Sequence, residues 1–344
     1  VNIVMQPQPT SLPMNRQVRV VRRAAGIPTP DVFRLTTEPM PSCTDGTVLV
    51  RVLYAAVDPA MRGWLSPEKN YLTVPDGEVM RAEGIGEVIE SRDPHWHVGD
   101  HVYGAFGWQQ YAAVSPDRLH RRIDLNVAPA PVWLGSLGIN GLTAWVGLRH
   151  LARVRAGETV LISTAAGAVG SAVAGLAHAT GARTVGITGG PDKVRRCLEQ
   201  LAYGAAIDYK ATRDLQAAIA AACPDGIDVF FDNTAGEIAD AAFASLNRGA
   251  RIVQCGTASV ASWTPPPTGP RRERDMLVKR LSWQGFVISD HAELFPQALE
   301  ELKSLYTAGA LDAQTDILDG LDAAPGAIAH LYGGKNQGRL CIRI

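Results

Sequence analysis

Two hydrophobic periodicities divide the chain. Between residues 16 and 122, short β-branched runs at Gln17 to Arg22, Thr47 to Ala56, Gly84 to Glu90 and Asp100 to Tyr103 are separated by Gly, Pro and Asp. Runs of this length and spacing predict a small, mostly antiparallel β domain curled into a barrel. From Ala130 to Leu151 the pattern turns helical, with Leu134, Leu137, Leu142, Trp145, Leu148 and Leu151 near a 3.6-residue repeat, and leads into a second domain. Strands at 159–164, 184–187, 206–208, 228–231 and 251–255 then alternate with helices at 168–180, 191–202, 213–222 and 236–246. Alternation of this kind predicts right-handed crossovers and a doubly wound parallel sheet. A proline-rich loop, Thr264 to Pro270, leads to a helical stretch at 271–280 and a strand-like Leu281 to Ser289. A helix from Phe295 to Ala308 and a strand from Arg339 to Ile344 complete the expected elements.

The turn after the first of the alternating strands carries the chemistry. In Thr159-Val-Leu-Ile-Ser-Thr-Ala-Ala-Gly-Ala-Val-Gly-Ser171, an apolar strand enters a small-residue turn and leaves as a helix. Ala165, Gly167 and Gly170 fit A-x-G-x-x-G, a variant of the dinucleotide fingerprint. Small residues let the backbone approach a pyrophosphate, whose charge is stabilised by exposed N–H groups at the helix N-terminus.

Composition narrows the partners. Hydrophobic residues make up 46% of the 344 and charged residues 19%, with a net charge of −1. That balance offers no basic surface for nucleic acid or an anionic membrane. No apolar run is long enough to span a bilayer, and Val1 to Arg16 lacks the basic start and apolar core of a signal peptide, so a cytoplasmic location is expected. Five scattered cysteines, Cys43, Cys197, Cys223, Cys255 and Cys341, fit reduced thiols.

The end of the second alternating strand selects the cofactor. A carboxylate there would hold the ribose hydroxyls of NAD and repel a 2′-phosphate. Here it reads Ile187-Thr-Gly-Gly-Pro-Asp-Lys193: Thr188 and two glycines, then a cation. The reading is NADPH, although Lys193 also fits a solvated surface position, and Asp192 fits a place in the first turn of the next helix.

With these motifs in hand, the sequence resembles the zinc-independent medium-chain dehydrogenase/reductases of the leukotriene B4 dehydrogenase, prostaglandin reductase and curcumin reductase type. The matching pieces are Val57-Asp-Pro-Ala-Met-Arg-Gly63, Leu137-Gly-Ile-Asn-Gly-Leu-Thr-Ala144, Ala165-Ala-Gly-Ala-Val-Gly170, Ile207-Asp-Tyr-Lys210, Phe231-Asp-Asn-Thr-Ala-Gly236, Cys255-Gly256 and Gln284-Gly-Phe286. The resemblance implies an α/β protein: a GroES-like β-barrel substrate domain from residues 1–130 and 309–344, and a Rossmann NADPH-binding domain at 131–308. It also implies a homodimer, with the Leu281 to Ser289 strand extending the sheet across a twofold axis, and hydride transfer to the β-carbon of a small apolar α,β-unsaturated ketone or aldehyde.

Carried across by position, Ala165, Ala166, Gly167, Ala168, Val169 and Gly170 would hold the pyrophosphate, and Thr188, Lys193 and Tyr209 the adenosine end. Asn233 would reach the cofactor after the fourth strand, or cap the next helix. Cys255, Gly256 and Thr257 would lie near the nicotinamide ribose. Phe286, Val287 and Ile288 would present backbone groups to the carboxamide, and Asn336 would reach back from the C-terminal segment.

The chain departs from metal-dependent relatives: where they have Gly-His-Glu it reads Arg81-Ala-Glu-Gly84, so Ala82 replaces the histidine and no metal is expected. It also departs from its own type. Family tyrosines in the Val-Asp-Pro motif and after the Cys-Gly turn are here Ala60 and Ala261, which leaves the proton donor open among a ribose hydroxyl, water and Tyr71. Two alanines in place of tyrosines predict an enlarged pocket, bordered by Trp64, Tyr71, Trp108 and Trp263. Quinone reduction, zinc-free alcohol oxidation and NADPH binding without catalysis are the rival readings.

Overall fold

The structure, a computed structural model, describes residues 13–344; residues 1–12, which hold most of the stretch read above for a targeting signal, lie outside the described residues. Strands β1 (Met14–Val20) and β2 (Phe33–Pro39) form an antiparallel pair. Strand β3 (Val48–Ala56), helix α1 (Ala60–Leu65), and strands β4 (Glu83–Ser91), β5 (His101–Ala105), β6 (Tyr111–Val114) and β7 (Leu119–Arg122) follow. Except for β2, β6 and β7, these strands coincide with the β-branched runs. Chain reversals at turns between them curl the sheet, with β3 pairing β4 and β6 at once.

The expected helical passage is broken. Helix α2 (Ala130–Leu134) ends before Gly135, α3 (Ile139–Trp145) starts afresh, and a π turn covers Val146–Leu151. The reason is local: the chain turns tightly between Gly135 and Gly138, and the α3 backbone lies against that turn.

The alternating half is a six-stranded, all-parallel sheet. It comprises β8 (Thr159–Ser163), α4 (Ala168–Thr180), β9 (Arg183–Thr188), α5 (Pro191–Glu199), β10 (Ala205–Asp208), α6 (Leu215–Ala222), β11 (Ile227–Asp232), α7 (Gly236–Ala242), β12 (Leu246–Gln254), α8 (Glu273–Lys279) and β13 (Ser282–Gly285). The strand order is β10-β9-β8-β11-β12-β13, with the reversal between β8 and β11 that opens a crevice at the strands' C-terminal ends. Every residue of β8 is buried, as expected for a central strand covered on both faces. The helix expected to reach residue 246 stops at Ala242, and β12 takes over at Leu246; the strand expected to 289 stops at Gly285 and passes into a 3₁₀ segment at Ile288–Leu294.

Helix α9 (Phe295–Thr307) then returns the chain to the first sheet. There β14 (Thr315–Asp319), α10 (Ala324–Tyr332) and β15 (Arg339–Arg343) follow. β15 runs antiparallel to β3, pairing Cys341 with Ala56, so strands from the first 122 residues and from the C-terminal segment together build the barrel-like sheet β14-β15-β3-β4-β5-β7, with β6 on β3. Buried Arg339 grips Asp58 through both carboxylate oxygens and fastens this return beside α1.

Candidate active site: a cleft between the two sheets

A cleft of about 1870 Å³ runs from the C-terminal ends of the parallel strands to the curled sheet. Its floor begins at the turn after β8. Gly170 is required there by close approach: a Cβ would lie 2.5 Å from the Thr164 carbonyl oxygen. Gly167, Ala168, Val169 and Gly170 face the cleft, as the fingerprint predicts. Ala165 and Ala166 do not. Both are buried, and their carbonyls point inward, where the Tyr203 hydroxyl donates to Ala165 O (3.1 Å) and Arg196 Nη1 to Ala166 O (2.6 Å). They therefore brace the turn from behind.

At the adenosine end the cleft is lined by Thr188, Gly189, Lys193, Tyr209 and Lys210. Burial, then the like charges of Lys210 and Arg196, push the Lys193 ammonium below its usual pKa. Lys193 has no carboxylate within ion-pair distance among the described residues. Asp192 instead pairs with Arg195 (2.8 Å) on the exposed side of α5. Asp208 is occupied by the backbone N–H groups of Gly190 (2.9 Å) and Lys210 (3.0 Å). Lys193 and Lys210, neither in an ion pair among the described residues, make a site for a phosphate dianion.

The other end is built around buried Asp232. Its carboxylate accepts from Ser163 Oγ (2.9 Å), Thr234 N (2.8 Å), Ala235 N (3.0 Å) and Gln254 Nε2 (2.9 Å), locking the ends of β8, β11 and β12 together. Asn233 lines the cleft, but its amide donates to Ser163 O (2.7 Å), so it too ties strand ends and does not cap α7. Cys255, Gly256, Thr257, Phe286, Val287, Ile288 and Asn336 all reach the wall. Burial, with Asp232 nearby, pushes the Cys255 thiol up to about 12, which keeps it a neutral thiol rather than a nucleophile. Asn336 Nδ2 donates to Gly338 O (2.9 Å), shaping the segment whose Gly338 bridges Gly167.

Across from this floor, Ala60, Trp64, Tyr71, Ala261 and Trp263 border the open chamber. Tyr71 stands at the mouth, 63% exposed, with its hydroxyl accepting from Trp64 Nε1 (3.3 Å); partial desolvation by the surrounding loop, then the fields of Asp58 and Cys255, raise its pKa above the usual 10. Trp108 is a correction. Fully buried, it donates from Nε1 to Ala56 O (3.0 Å) and packs on Phe33, so it is core beneath β3 and not a pocket wall.

Two residues without an assigned role in the sequence join the halves. Arg62 on α1 donates to the carbonyls of Ala258 (3.1 Å), Thr257 (3.3 Å) and Val260 (2.6 Å), while its guanidinium lies 4.5 Å from the centre of the Tyr332 ring. Glu68 accepts from Ser262 Oγ (2.8 Å) and Trp263 N (3.1 Å), holding down the start of the proline-rich loop. Their partners lie almost 200 residues away, beyond any local pattern.

Comparison with known proteins follows this geometry. The family described as the N-terminal domain of oxidoreductase matches residues 16–121, and that described as zinc-binding dehydrogenase matches residues 168–304. YfmJ of Bacillus subtilis (strain 168), named for NADP-dependent oxidoreductase activity, is 39% identical over 331 residues, 96% of this chain and 97% of its own. NADPH-dependent curcumin reductase of Escherichia coli (strain K12) is 36% identical over 338 residues, again 96% and 97%. The crystal structure of CurA from Vibrio vulnificus in complex with NADPH matches at a TM-score of 0.89, with 32% identity over 95% of this chain and 98% of that one.

The chain belongs to the medium-chain dehydrogenase/reductase family. Within that family it is an NADPH-dependent oxidoreductase of the curcumin reductase and prostaglandin reductase type. The residues present fit that cofactor. Gly167 to Gly170 offer the backbone cradle, and the ammonium groups of Lys193 and Lys210, in no ion pair among the described residues, suit the 2′-phosphate that distinguishes NADPH from NADH.

Proposed function

We propose that this reductase saturates the C=C bond of apolar α,β-unsaturated ketones or aldehydes without a metal. The observation that carries the reading is the donor set: among the described residues no three His, Cys, Asp or Glu side chains gather to hold a metal, and Ala82, at the sequence position where metal-dependent relatives have histidine, is buried in the core. A developing charge on the substrate oxygen then calls for a hydrogen-bond donor, as an enolate does. Bound NADPH supplies the hydride. Gly167 to Gly170, Lys193 and Tyr209 bind its phosphate and adenosine parts, Phe286 to Ile288 orient its carboxamide, and Arg62 keeps the 257–260 loop against the chamber. Ala60 and Ala261 leave room for a bulky or ring-shaped enone, with Trp64, Tyr71 and Trp263 covering its apolar faces. The α-carbon takes its proton from water, a ribose hydroxyl of the cofactor or Tyr71 at the chamber mouth.

The domain reading, residues 1–130 with 309–344 around a nucleotide domain at 131–308, is supported by the return of β14 and β15 to the first sheet. A cytoplasmic homodimer completes the proposal. Among the described residues β13 is an edge strand paired only with β12, and Trp283 on it and Leu277 and Val278 on α8 are exposed, so a second copy would cover an apolar edge that invites pairing. Among the described residues no helix is long and apolar enough to cross a membrane.

The test is NADPH consumption with linear enals, aliphatic enones and aryl enones, alongside NADH and a quinone. Products heavier by two hydrogens establish the reaction. Tight NADPH binding with turnover of quinones alone, or of nothing, overturns it.

A further inference from the structure

Four side chains on the cleft wall have a buried polar atom with no hydrogen-bond partner: Tyr103 Oη, Arg121 Nε, Arg339 Nε and Asn140 Oδ1; the two arginines are engaged through their other nitrogens, with Leu137 O and Asp58. Tyr103 belongs to a charged layer. Its hydroxyl feels Glu83, Arg121, Arg339 and Asp58, and the Arg121 guanidinium covers its ring at 4.3 Å. Asn140 has no such company. It sits at the second position of α3, is 7% exposed, and is flanked on the cleft wall by apolar Ile139 and Leu142.

Its place is fixed by backbone. A Cβ at neighbouring Gly141 would lie 1.9 Å from Ser136 O, so α3 rests directly on the preceding turn and cannot drift. α3 also packs against the 288–294 segment, so the helix that carries Asn140 borders the same cleft as the Phe286 to Ile288 wall. Within the carboxamide, Oδ1 is enclosed without a partner, and among the described residues no protein acceptor takes a hydrogen bond from Nδ2, which leaves that group to a ligand in the cleft that Asn140 lines. Buried amides are ordinarily paired, and an unpaired one on the wall of a reaction chamber is completed by a ligand.

We propose that Asn140 Nδ2 donates a hydrogen bond to the carbonyl oxygen of the enone, the role left vacant at Ala60 and Ala261. The inference rests on the enone-reductase reading above. As hydride adds to the β-carbon, the π pair of the C=C bond shifts toward the carbonyl oxygen, and the α-carbon then takes a proton from water. Asn140 loses no proton; it lowers the energy of the oxygen's growing charge.

The experiment is steady-state reduction of an aryl enone by the unmodified protein and by N140A, N140D and N140L, with NADPH Kd and thermal midpoint measured for each. N140A, N140L and N140D should each lose kcat by ~10²-fold, the usual cost of one oxyanion donor. NADPH Kd should stay within about threefold of the unmodified value, because the amide acts on the transition state rather than on cofactor binding. N140L should keep its thermal midpoint, since no protein hydrogen bond is lost, and it replaces N140A should the smaller side chain fold poorly. Asp is acceptor-only when ionised, so N140D with full kcat would overturn the donor role, as would full kcat in N140A or N140L. Failure of the unmodified protein on every enone would remove the reaction itself and this proposal with it; enone turnover untouched by all three variants would remove this proposal alone.

Discussion

Arg62 donates to Val260 O across the cleft at 2.6 Å, joining the helix after β3 to the loop after β12. With its bonds to Thr257 and Ala258 and its stacking on Tyr332, one guanidinium sets how far the two sheets stand apart at the chamber. R62A should therefore weaken catalysis by misplacing a wall, not by removing chemistry. Hydrogen bonds from a charged group are worth ~1.5–3 kcal/mol, so kcat/KM for the enone should fall about tenfold or more, with R62K recovering part. Initial-rate kinetics with both variants check this.

Lys193 should decide the choice of cofactor. K193E should lower kcat/KM for NADPH by about 10–100-fold while leaving NADH within about threefold, measured side by side.

The same lysine makes a pH prediction. Its native pKa lies below the ordinary 10.5 because of burial, Lys210 and Arg196. On the free enzyme, the charge that attracts a 2′-phosphate is thus lost before pH reaches 10.5, and KM for NADPH should climb on the alkaline side while that for NADH stays flat. For folding, the native state releases this proton more readily than the unfolded state, so Lys193 destabilises the cofactor-free protein at neutral pH, and the penalty fades as pH rises through the native pKa toward 10.5. K193M should raise the thermal midpoint without cofactor at neutral pH and shrink the further rise that NADPH produces; differential scanning fluorimetry reads both.

Refilling the chamber should narrow its substrates. A261Y places a phenol beside Trp263 and should raise KM for aryl enones more than for short enals. Equal effects on both would argue against the enlarged pocket.

W108F should cost stability and spare catalysis. It removes the bond to Ala56 O, worth ~0.5–1.5 kcal/mol, and leaves a gap beside Phe33. The thermal midpoint should drop while kcat on every substrate stays near that of the unmodified protein.

The cofactor half was legible because its signals are local: β8, the small-residue turn and α4 are contiguous, and the strand–helix alternation repeats the unit. Thr188 and Lys193 were read from their distance to that turn and Tyr209 from the resemblance at Ile207 to Lys210, and all three line the cleft. Trp108 was misplaced because its role depends on Ala56, a partner 52 residues away that no pattern around Gly107 reveals. Arg62 and Glu68 escaped for the same reason, their partners lying across the cleft. Ala165 and Ala166 fit the fingerprint as letters, yet their carbonyls are claimed by Tyr203 and Arg196 behind the turn. β2 and β14 are half-buried strands whose mixed burial gives a weak alternation.

Asp232 splits the molecule into what can change and what cannot. Its single carboxylate gathers the ends of three parallel strands, so the floor under the cofactor is held by one knot. The chamber's side walls, at position 60 on α1 and at 71, 261 and 263 on loops, lie outside that knot. Substitutions there can exchange one substrate for another with the floor undisturbed, a layout open to evolutionary drift in diet but closed to drift in reaction.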